Sequence, residues 1–472
     1  MQDPALTDRS ATELCGLMRR GEVGVCTVVA AFLDRIEAAN PAVNAIVSLR
    51  PRGELLAEAA AMERAGLSGR LAGVPVAVKD LVATKGLRTT YGSPLFADHV
   101  PLADDLVAAR LKAAGAIIIG KTNTPEWGHG SHTFNPVFGA TRNPYDLARS
   151  AGGSSGGAAA ALAARMVPLA DGSDMMGSLR NPAGFCNVYG FRPSWGLVPQ
   201  DAVGDTFLAT MATEGPMARS PEDLALLLSV LAGPNPEVPF GRPSEDYGAR
   251  FGDGLTGKRI GWLADWGGAY PVEPGILETC EAALKVFEGL GAVVEPVAPP
   301  FPAEALWSSW VTLRAMLNAG AKEELARDPA KRALTKPESL WEIDQGAGLT
   351  AAEVHAASVT RSRWYKRAAR LFRDYDALAL PTAQVWPFPV EWRWPEEISG
   401  RRMDTYHRWM EVVVPVSLIG LPCLALPAGF SDGGLPMGLQ IFGPTGSDAA
   451  ILGMGHAYHQ ATDWPNRRPP VL

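Results

Sequence analysis

The chain has 472 residues, a length that suits one large α/β domain or about three domains of average size. Hydrophobic residues make up 47% of it and charged residues 20%, so the composition is that of a folded globular protein and excludes global disorder. The formal net charge is −7 and the basic residues are scattered, which argues against nucleic acid or an anionic membrane as a partner.

The first predicted elements alternate between helix and strand. Ser10 and Glu13 have the spacing of a capping box and open the first helix. Residues 73–79 form a short alternating apolar run that is bounded by Gly and Pro, which predicts a strand that ends at Lys79. Further helices are predicted at about residues 27–39 and 104–114, and an apolar strand at residues 116–119.

The second half of the chain continues this alternation. Ser220 followed by Pro221 marks a helix start, and the Pro-rich segment 234–244 is the best candidate for a linker. Strands at both ends of the chain predict an α/β fold, a single large domain whose central mixed β-sheet is covered on both faces by helices. The remaining elements are a helix at residues 276–291, a mostly helical, Trp-rich region at 301–372, and strands at 292–297, 376–381, 422–427 and 437–442.

Two apparent motifs are rejected on their context. Residues 115–122 satisfy the Walker A pattern, but the four residues that should form an open phosphate loop are an alanine and three isoleucines. We therefore interpret Lys121 as a charge at a strand end. Pairs of histidines three residues apart lack the further ligands of a metal site and are interpreted as surface or helix residues. These pairs are His129 with His132 and His456 with His459.

A glycine-rich segment at residues 150–157 precedes an alanine-rich helix at 158–164. Four glycines around Ser154 and Ser155 suit a backbone that bends close to another group, because glycine has no side chain to pack. Residues 153–157 also match the G-x-S-x-G nucleophile elbow, which would make the chain an α/β-hydrolase-type esterase using Ser155 with a late histidine such as His407. The elbow requires a preceding strand, whereas residues 143–150 have the composition of a turn.

A second polar cluster at residues 171–183 directly follows a short apolar run and suits a loop between a strand and a helix. This cluster, the segment 152–157 and the strand ending at Lys79 together resemble the amidase signature family. Residues 120–126 and 138–144 are also similar to that family. The resemblance covers about residues 70–200, the expected signature core.

The resemblance implies a catalytic Ser–Ser–Lys triad. Ser178 would be the nucleophile, Ser154, preceded by a cis peptide bond, would relay the proton, and Lys79 would be the base. A serine hydroxyl needs a base, and a lysine can serve only when burial favours its neutral form. The other implied site residues are the backbone amides of Met175, Met176, Gly177 and Ser178 as an oxyanion hole, Asp174 and Arg180 as braces of the loop, and Ser155 and Ser173 as supporting donors.

Met176 departs from the family pattern, which has glycine at this place. Family members with another residue there include hydrolases of cyclic nylon oligomers. We expect a negative φ at Met176 and a side chain that lines the acyl pocket, with burial of the side chain in the packed scaffold as the alternative. A Pro-rich segment with Trp386, Trp392 and Trp394 is expected to form an aromatic loop over the site, within a substrate-covering region at about residues 300–410.

These observations predict an amidase that hydrolyses a carboxylic amide C–N bond through a serine acyl-enzyme and releases ammonia or an amine. The substrate is expected to be a small linear amide with an apolar or aryl acyl group, with cyclic amides left open. No metal or organic cofactor is required. The alternatives are the esterase with Ser155 and a partner-dependent amidotransferase subunit, and a homodimer is left open.

The compartment is predicted from the termini and the cysteines. Residues 1–14 carry acidic residues and lack the apolar core of a signal peptide, and no uncharged apolar stretch of about 18 residues occurs. We therefore predict a cytoplasmic protein without a membrane span. The five cysteines form no CxxC motif, which predicts neither a disulfide framework nor a zinc site; they are Cys15, Cys26, Cys186, Cys280 and Cys423.

Overall fold

The computed structural model describes residues 5–200 and 205–472. Its α-helices, in chain order, are α1 (Ala11–Arg19), α2 (Val25–Val43), α3 (Arg52–Ala65), α4 (Leu106–Ala113), α5 (Gly156–Ala163), α6 (Arg180–Phe185), α7 (Pro221–Leu231), α8 (Ile276–Gly289), α9 (Ala303–Arg327), α10 (Pro329–Leu334), α11 (Pro337–Ala347), α12 (Ala351–Leu371), α13 (Val414–Ser417), α14 (Asp448–Thr462) and α15 (Trp464–Arg467).

The strands form one large sheet and three small hairpins. They are β1 (Ile46–Val47), β2 (Pro75–Lys79), β3 (Ile117–Thr122), β4 (Phe134–Asn135), β5 (Gly139–Ala140), β6 (Arg142–Asn143), β7 (Asp146–Ser150), β8 (Leu169–Asp174), β9 (Tyr189–Arg192), β10 (Thr213–Ala218), β11 (Arg259–Trp262), β12 (Val293–Pro296), β13 (Ala377–Pro381), β14 (Glu397–Ile398), β15 (Arg401–Arg402), β16 (Cys423–Phe430) and β17 (Pro436–Phe442).

The large sheet has 11 strands in the order β1-β3-β2-β8-β10-β9-β16-β17-β13-β11-β12. Pairing is parallel from β3 through β2 to β8 and again between β13, β11 and β12, and antiparallel across the middle. Strands from both halves of the chain therefore share one sheet, with helices on both faces, as the sequence predicted. The segment 234–244 connects parts of this one domain and separates no domains.

Local sequence explains where the elements begin and end. Ser10 and Glu13 form the predicted capping box of α1, and Ser220 caps α7 with Pro221 in its first turn. Gly115 has a φ of +82°, which lets the chain reverse from α4 into β3. The predicted helical region 301–372 corresponds to α9 through α12, in which α9 packs against α11 and α12.

The core of the domain lies between the sheet and its helices. All eight residues of α5 are buried, because alanines and glycines let this helix approach β8 closely. β2 and β8 are parallel neighbours, so their carboxyl ends, Lys79 and Asp174, lie at the same edge of the sheet. Across the described ranges of the chain, no helix has the length and apolar character needed to cross a membrane.

Candidate active site

A cavity of about 760 Å³ opens at this edge of the sheet. Ser154, Ser173 and Ser178 contribute to its wall on the side of the sheet, and residues of α9 close the opposite side. Its volume is in the range of pockets that bind small molecules. The cavity therefore joins the glycine-rich segment, the loop after β8 and the helical region in one site.

Lys79 lies beside this cavity and is fully buried. Its Nζ is 2.8 Å from Ser154 Oγ, 2.9 Å from Ser155 Oγ and 2.9 Å from Ser173 Oγ. An ammonium group donates in all three contacts, whereas a neutral amine has two N–H groups and one lone pair. A neutral Lys79 would accordingly accept one hydrogen bond from a serine hydroxyl.

The surroundings favour loss of the Lys79 proton. Burial lowers the pKa of Lys79 to about 8, although the carboxyl groups of Glu214, Asp171 and Asp174 act in the opposite direction. About one tenth of the lysine is therefore in the basic form at pH 7, far more than for an exposed lysine with a pKa of about 10.4. Asp171 also fixes the end of β2, since its Oδ1 accepts a hydrogen bond from the Lys79 backbone N–H at 2.8 Å.

The glycine-rich segment bends as its composition predicted. Gly152 has a φ of +74°, and a Cβ there would lie 2.9 Å from the Pro182 backbone. A Cβ at Gly157 would lie 2.3 Å from the Asn123 nitrogen. The peptide bond between Gly153 and Ser154 is cis, as the family resemblance implies.

Ser178 lies at the end of the loop that follows β8 and is 8% exposed, toward the cavity. Its carbonyl oxygen accepts a hydrogen bond from the Ser155 N–H at 3.2 Å, which ties the loop to the glycine-rich segment. In the described parts of the chain, the hydroxyl groups of Ser154 and Ser178 share the cavity wall without a direct hydrogen bond between them.

Asp174 organises this loop. Its carboxylate accepts hydrogen bonds from the backbone N–H groups of Gly177 at 2.9 Å and Leu179 at 3.2 Å. It also forms ion pairs with Arg180 at 2.9 Å and Arg192 at 3.0 Å, and all three charged side chains are fully buried. Burial alone would raise the pKa of Asp174, but the two guanidinium groups hold it well below its usual range.

The amide groups of the loop are therefore not equivalent. The Gly177 N–H points at Asp174, whereas the N–H groups of Met175, Met176 and Ser178 have no hydrogen-bond partner within the residues that the structure describes. Gly177 carries the positive φ of the loop, +77°, and Met176 is not among the described residues with a positive φ. Three of the four amides of the expected oxyanion hole thus make no hydrogen bond to another described residue.

α9 and α11 supply a polar network on the opposite wall. The Arg314 guanidinium donates to the Glu342 carboxylate and to the Tyr406 hydroxyl, and its Nη1 lies 3.2 Å from Met175 Sδ. Lys322 Nζ lies 2.9 Å from both His129 Nε2 and Asn318 Oδ1. This network connects the helical region directly to the loop after β8.

The structure corrects the interpretation of several polar residues. His129 and His132 are buried, whereas His456 and His459 lie on α14 as expected. In the described residues, no group of three or more His, Cys, Asp or Glu side chains could hold a metal ion. Lys121 lies inside the buried strand β3, where its Nζ donates to Thr84 Oγ1 at 2.7 Å, so residues 117–122 form no phosphate loop.

The alternative with Ser155 and His407 is wrong on geometry. Residues 146–150 do form a strand, β7, rather than a turn, but β7 pairs with β6 in a hairpin separate from the large sheet. Ser155 contacts Lys79, while His407 lies 2.9 Å from Thr405 Oγ1 and stacks on Tyr406. Ser155 and His407 therefore do not form the serine–histidine pair that a hydrolase of this type requires.

The prediction of an aromatic loop over the site is also wrong. Trp386, Trp392 and Trp394 do not line the cavity; Trp386 donates to the Pro274 carbonyl and Trp392 is half-exposed. The tryptophan in the cavity wall is Trp127, which stacks on Tyr91. The region 300–410 nevertheless contributes to the wall through α9 and Met410.

Three charged residues of the site were not predicted from the sequence. Glu214 lies in the cavity wall on β10, Arg314 lies on α9, and Arg192 ends β9. Glu214 could have been noticed as a carboxylate in an otherwise weakly polar strand. Arg192 and Arg314 carried no signal, because only the fold brings their ionic partners to them: Asp174 is 18 positions from Arg192, and Glu342 is 28 positions from Arg314.

Comparisons with known proteins identify the family of the chain. The family model described as Amidase matches residues 27–452. The chain is 38% identical to one subunit of the glutamyl-tRNA(Gln) amidotransferase of Thermus thermophilus, and the match covers 98% of this chain and 99% of the relative. It is 33% identical to an acylamidase of Rhodococcus erythropolis, and that match covers 98% of this chain and 97% of the relative. The crystal structure of a bacterial aryl acylamidase of the amidase signature family superposes with a TM-score of 0.91 at 30% identity, covering 98% of this chain and 99% of that one. The chain belongs to the amidase signature family.

Proposed function

We propose that the chain hydrolyses carboxylic amides through an acyl-enzyme on Ser178. The observation that carries this proposal is the contact of the buried Lys79 Nζ with Ser154 Oγ at 2.8 Å, beside a cavity that Ser154 and Ser178 both line. Lys79, in its neutral form, takes a proton from Ser154 as Ser154 takes the proton of Ser178. The Ser178 oxygen then attacks the amide carbonyl carbon.

The remaining steps use the same groups. The oxyanion of the tetrahedral intermediate is bound by the available N–H groups of Met175, Met176 and Ser178. The proton held by Lys79 returns through Ser154 to the leaving nitrogen, the C–N bond breaks, and ammonia or an amine departs. Water then attacks the acyl-enzyme, gives its proton to the same relay, and releases the carboxylic acid and the free serine.

We propose substrates with an apolar or aryl acyl group. The cavity wall contains large apolar side chains on several elements, which suit such groups by area and shape. The acylamidase and aryl acylamidase among the relatives support this choice. These side chains are Leu81, Trp127, Leu208, Met316, Leu317 and Met410.

A panel of amides tests this function. Purified protein is assayed with aryl amides, fatty acyl amides and small polar amides, and the active serine is identified by mass spectrometry after labelling with a covalent serine inhibitor. We expect turnover of the apolar amides to exceed that of the polar ones, and the label on Ser178. A label on Ser155, or better turnover of small polar amides, would contradict the proposal.

Met176 offers a test of the acyl pocket. Its side chain forms part of the cavity wall but is only 2% exposed. We expect Met176→Gly to raise kcat/KM for bulky acyl groups relative to small ones by about tenfold, and to lower the free energy of unfolding by about 2–5 kcal/mol. Met176→Leu, which nearly conserves volume, is the control. A loss of stability with unchanged acyl preference would eliminate the pocket role.

A second candidate function is that of a partner-dependent amidotransferase subunit. The 38% identity to the glutamyl-tRNA(Gln) amidotransferase component of Thermus thermophilus favours it. Such a subunit would release ammonia from an amide only in the presence of a second protein. Turnover by the isolated chain argues for the amidase, whereas co-purification of a partner that is needed for turnover argues for the subunit.

We propose a cytoplasmic location, which the five free cysteines support because a reducing compartment keeps thiols unpaired. The homodimer stays a prediction.

A further inference from the structure

Glu214 lies next to the proposed base without belonging to the proposed triad. In the antiparallel pair of β10 and β8, Glu214 is directly opposite Ser173. Side chains at paired positions point to the same face of a sheet, about 5 Å apart. Ser173 Oγ in turn lies 2.9 Å from Lys79 Nζ. The carboxyl group of Glu214 therefore approaches Lys79 from the side of the cavity, whose wall it helps to form.

The carboxyl group of Glu214 has few hydrogen-bond donors to offset the cost of its burial. Its Oε1 accepts a hydrogen bond from Gln200 at 3.2 Å, while its buried Oε2 has no hydrogen-bond partner among the described residues. A buried carboxylate with a single donor is costly, so Glu214 holds a proton more readily than an exposed glutamate does. Burial raises the pKa of Glu214 well above its usual range, and the neighbouring carboxyl of Asp171 adds to this effect.

Other charged groups around Lys79 are already engaged. Asp174, from the end of β8, is paired with two arginines, and Asp171 accepts the Lys79 backbone N–H. Burial raises the pKa of Asp171, and the charge of Lys121 on β3 lowers it in part. The charge of Asp105, which precedes α4, adds to the rise in the pKa of Glu214 that burial causes. Glu214 is thus the carboxyl group that both raises the pKa of Lys79 by its charge and belongs to the cavity wall.

We propose that Glu214 is a positioning residue that controls where the proton of Lys79 resides before catalysis. This inference rests on the proposed function. One proton can lie on either of the two side chains. The pair is then either a Glu214 carboxylate with a Lys79 ammonium group or a Glu214 carboxyl group with a neutral Lys79 amine, and both forms contain the same number of protons. In the second form, Lys79 presents its lone pair to Ser154. A negative charge on Glu214 instead attracts the proton to Lys79 and holds the base in its inactive form.

The pH dependence of kcat/KM tests this role. Activity requires neutral Lys79, so the wild-type rate rises with pH, with a midpoint near the Lys79 pKa of about 8, and then reaches a plateau. Glu214→Gln removes the attraction that the ionised form of Glu214 exerts on the Lys79 ammonium group. We expect its midpoint to lie about one pH unit lower, so that its activity at acidic pH, relative to its own plateau, increases by about tenfold.

Two variants serve as controls. Glu288→Gln makes the same change in net charge on an exposed side of α8, and Glu214→Asp keeps a carboxyl group at the site. Both are expected to keep a midpoint close to that of the wild type. A merely structural role of Glu214 would lower kcat at every pH and leave the midpoint of Glu214→Gln unchanged.

The rate of Ser178 labelling by a covalent inhibitor gives a second readout, because it reports activation of the serine even in a variant that has lost turnover. An unchanged midpoint in Glu214→Gln, or a shift to higher pH, by either readout would overturn the inference. A wild-type protein that neither turns over amides nor labels at Ser178 would contradict the proposed function instead.

Discussion

Ser178→Ala is expected to abolish amide hydrolysis, with a loss in kcat of about 10⁴-fold or more, because the acyl-enzyme forms on its hydroxyl group. Lys79→Ala is expected to cause a similar loss, since it removes the only group within hydrogen-bond distance of Ser154 in the described residues that can accept its proton at neutral pH. Ser154→Ala should retain a small residual activity, because a water molecule can replace its hydroxyl in the relay.

The measurement is single-turnover and steady-state kinetics on the best substrate of the amide panel. Circular dichroism and thermal unfolding establish that each variant is folded. Ser362→Ala, on the exposed side of α12, is the matched control and should retain full activity. Activity of Ser178→Ala close to the wild-type rate would refute the assignment of the nucleophile.

The second large effect is expected at Asp174. Removal of its carboxylate by Asp174→Ala leaves Arg180 and Arg192 as buried charges without their ionic partner. It also frees the Gly177 N–H, so the loop that holds Ser178 loses its brace. We expect a loss of about 3–5 kcal/mol in the free energy of unfolding, together with loss of activity.

Denaturant unfolding followed by fluorescence measures this loss. Asp344→Ala is the control, because Asp344 pairs with Arg332 on the surface at 2.6 Å, where both side chains are more than one third exposed. An exposed ion pair contributes at most about 1 kcal/mol. Equal destabilisation by the two variants would show that burial of the Asp174 ion pairs does not determine how much they contribute to the free energy of unfolding.

The sequence was most informative where residues close in the chain also lie close in the fold. Lys79 ends a strand with a clear apolar pattern, and the glycines around Ser154 have no role in ordinary core packing. Asp174 and Arg180 are six positions apart, and their side chains form an ion pair across the loop that connects β8 to α6. Local features of this kind could be predicted because each depends on a short stretch of residues.

Features that depend on strand order could not be predicted. Glu214 meets Ser173 only because β10 pairs with β8, and Arg314 reaches Met175 only because α9 covers the cavity. The tryptophan loop failed for a different reason. Aromatic and proline residues indicate irregular, well-packed chain, but they do not specify which neighbour is covered, and Trp386 packs beside Pro274 instead of the cavity.

The brace of the Ser178 loop has a consequence for biosynthesis. Arg180 binds Asp174, but it also donates to Gln440 Oε1 at 2.7 Å and to Ser417 Oγ at 2.6 Å. Those two residues leave the ribosome more than 200 residues after Arg180. A nascent chain therefore carries the proposed nucleophile, relay and base long before it can hold them in place, and the site is complete only once Gln440 has emerged.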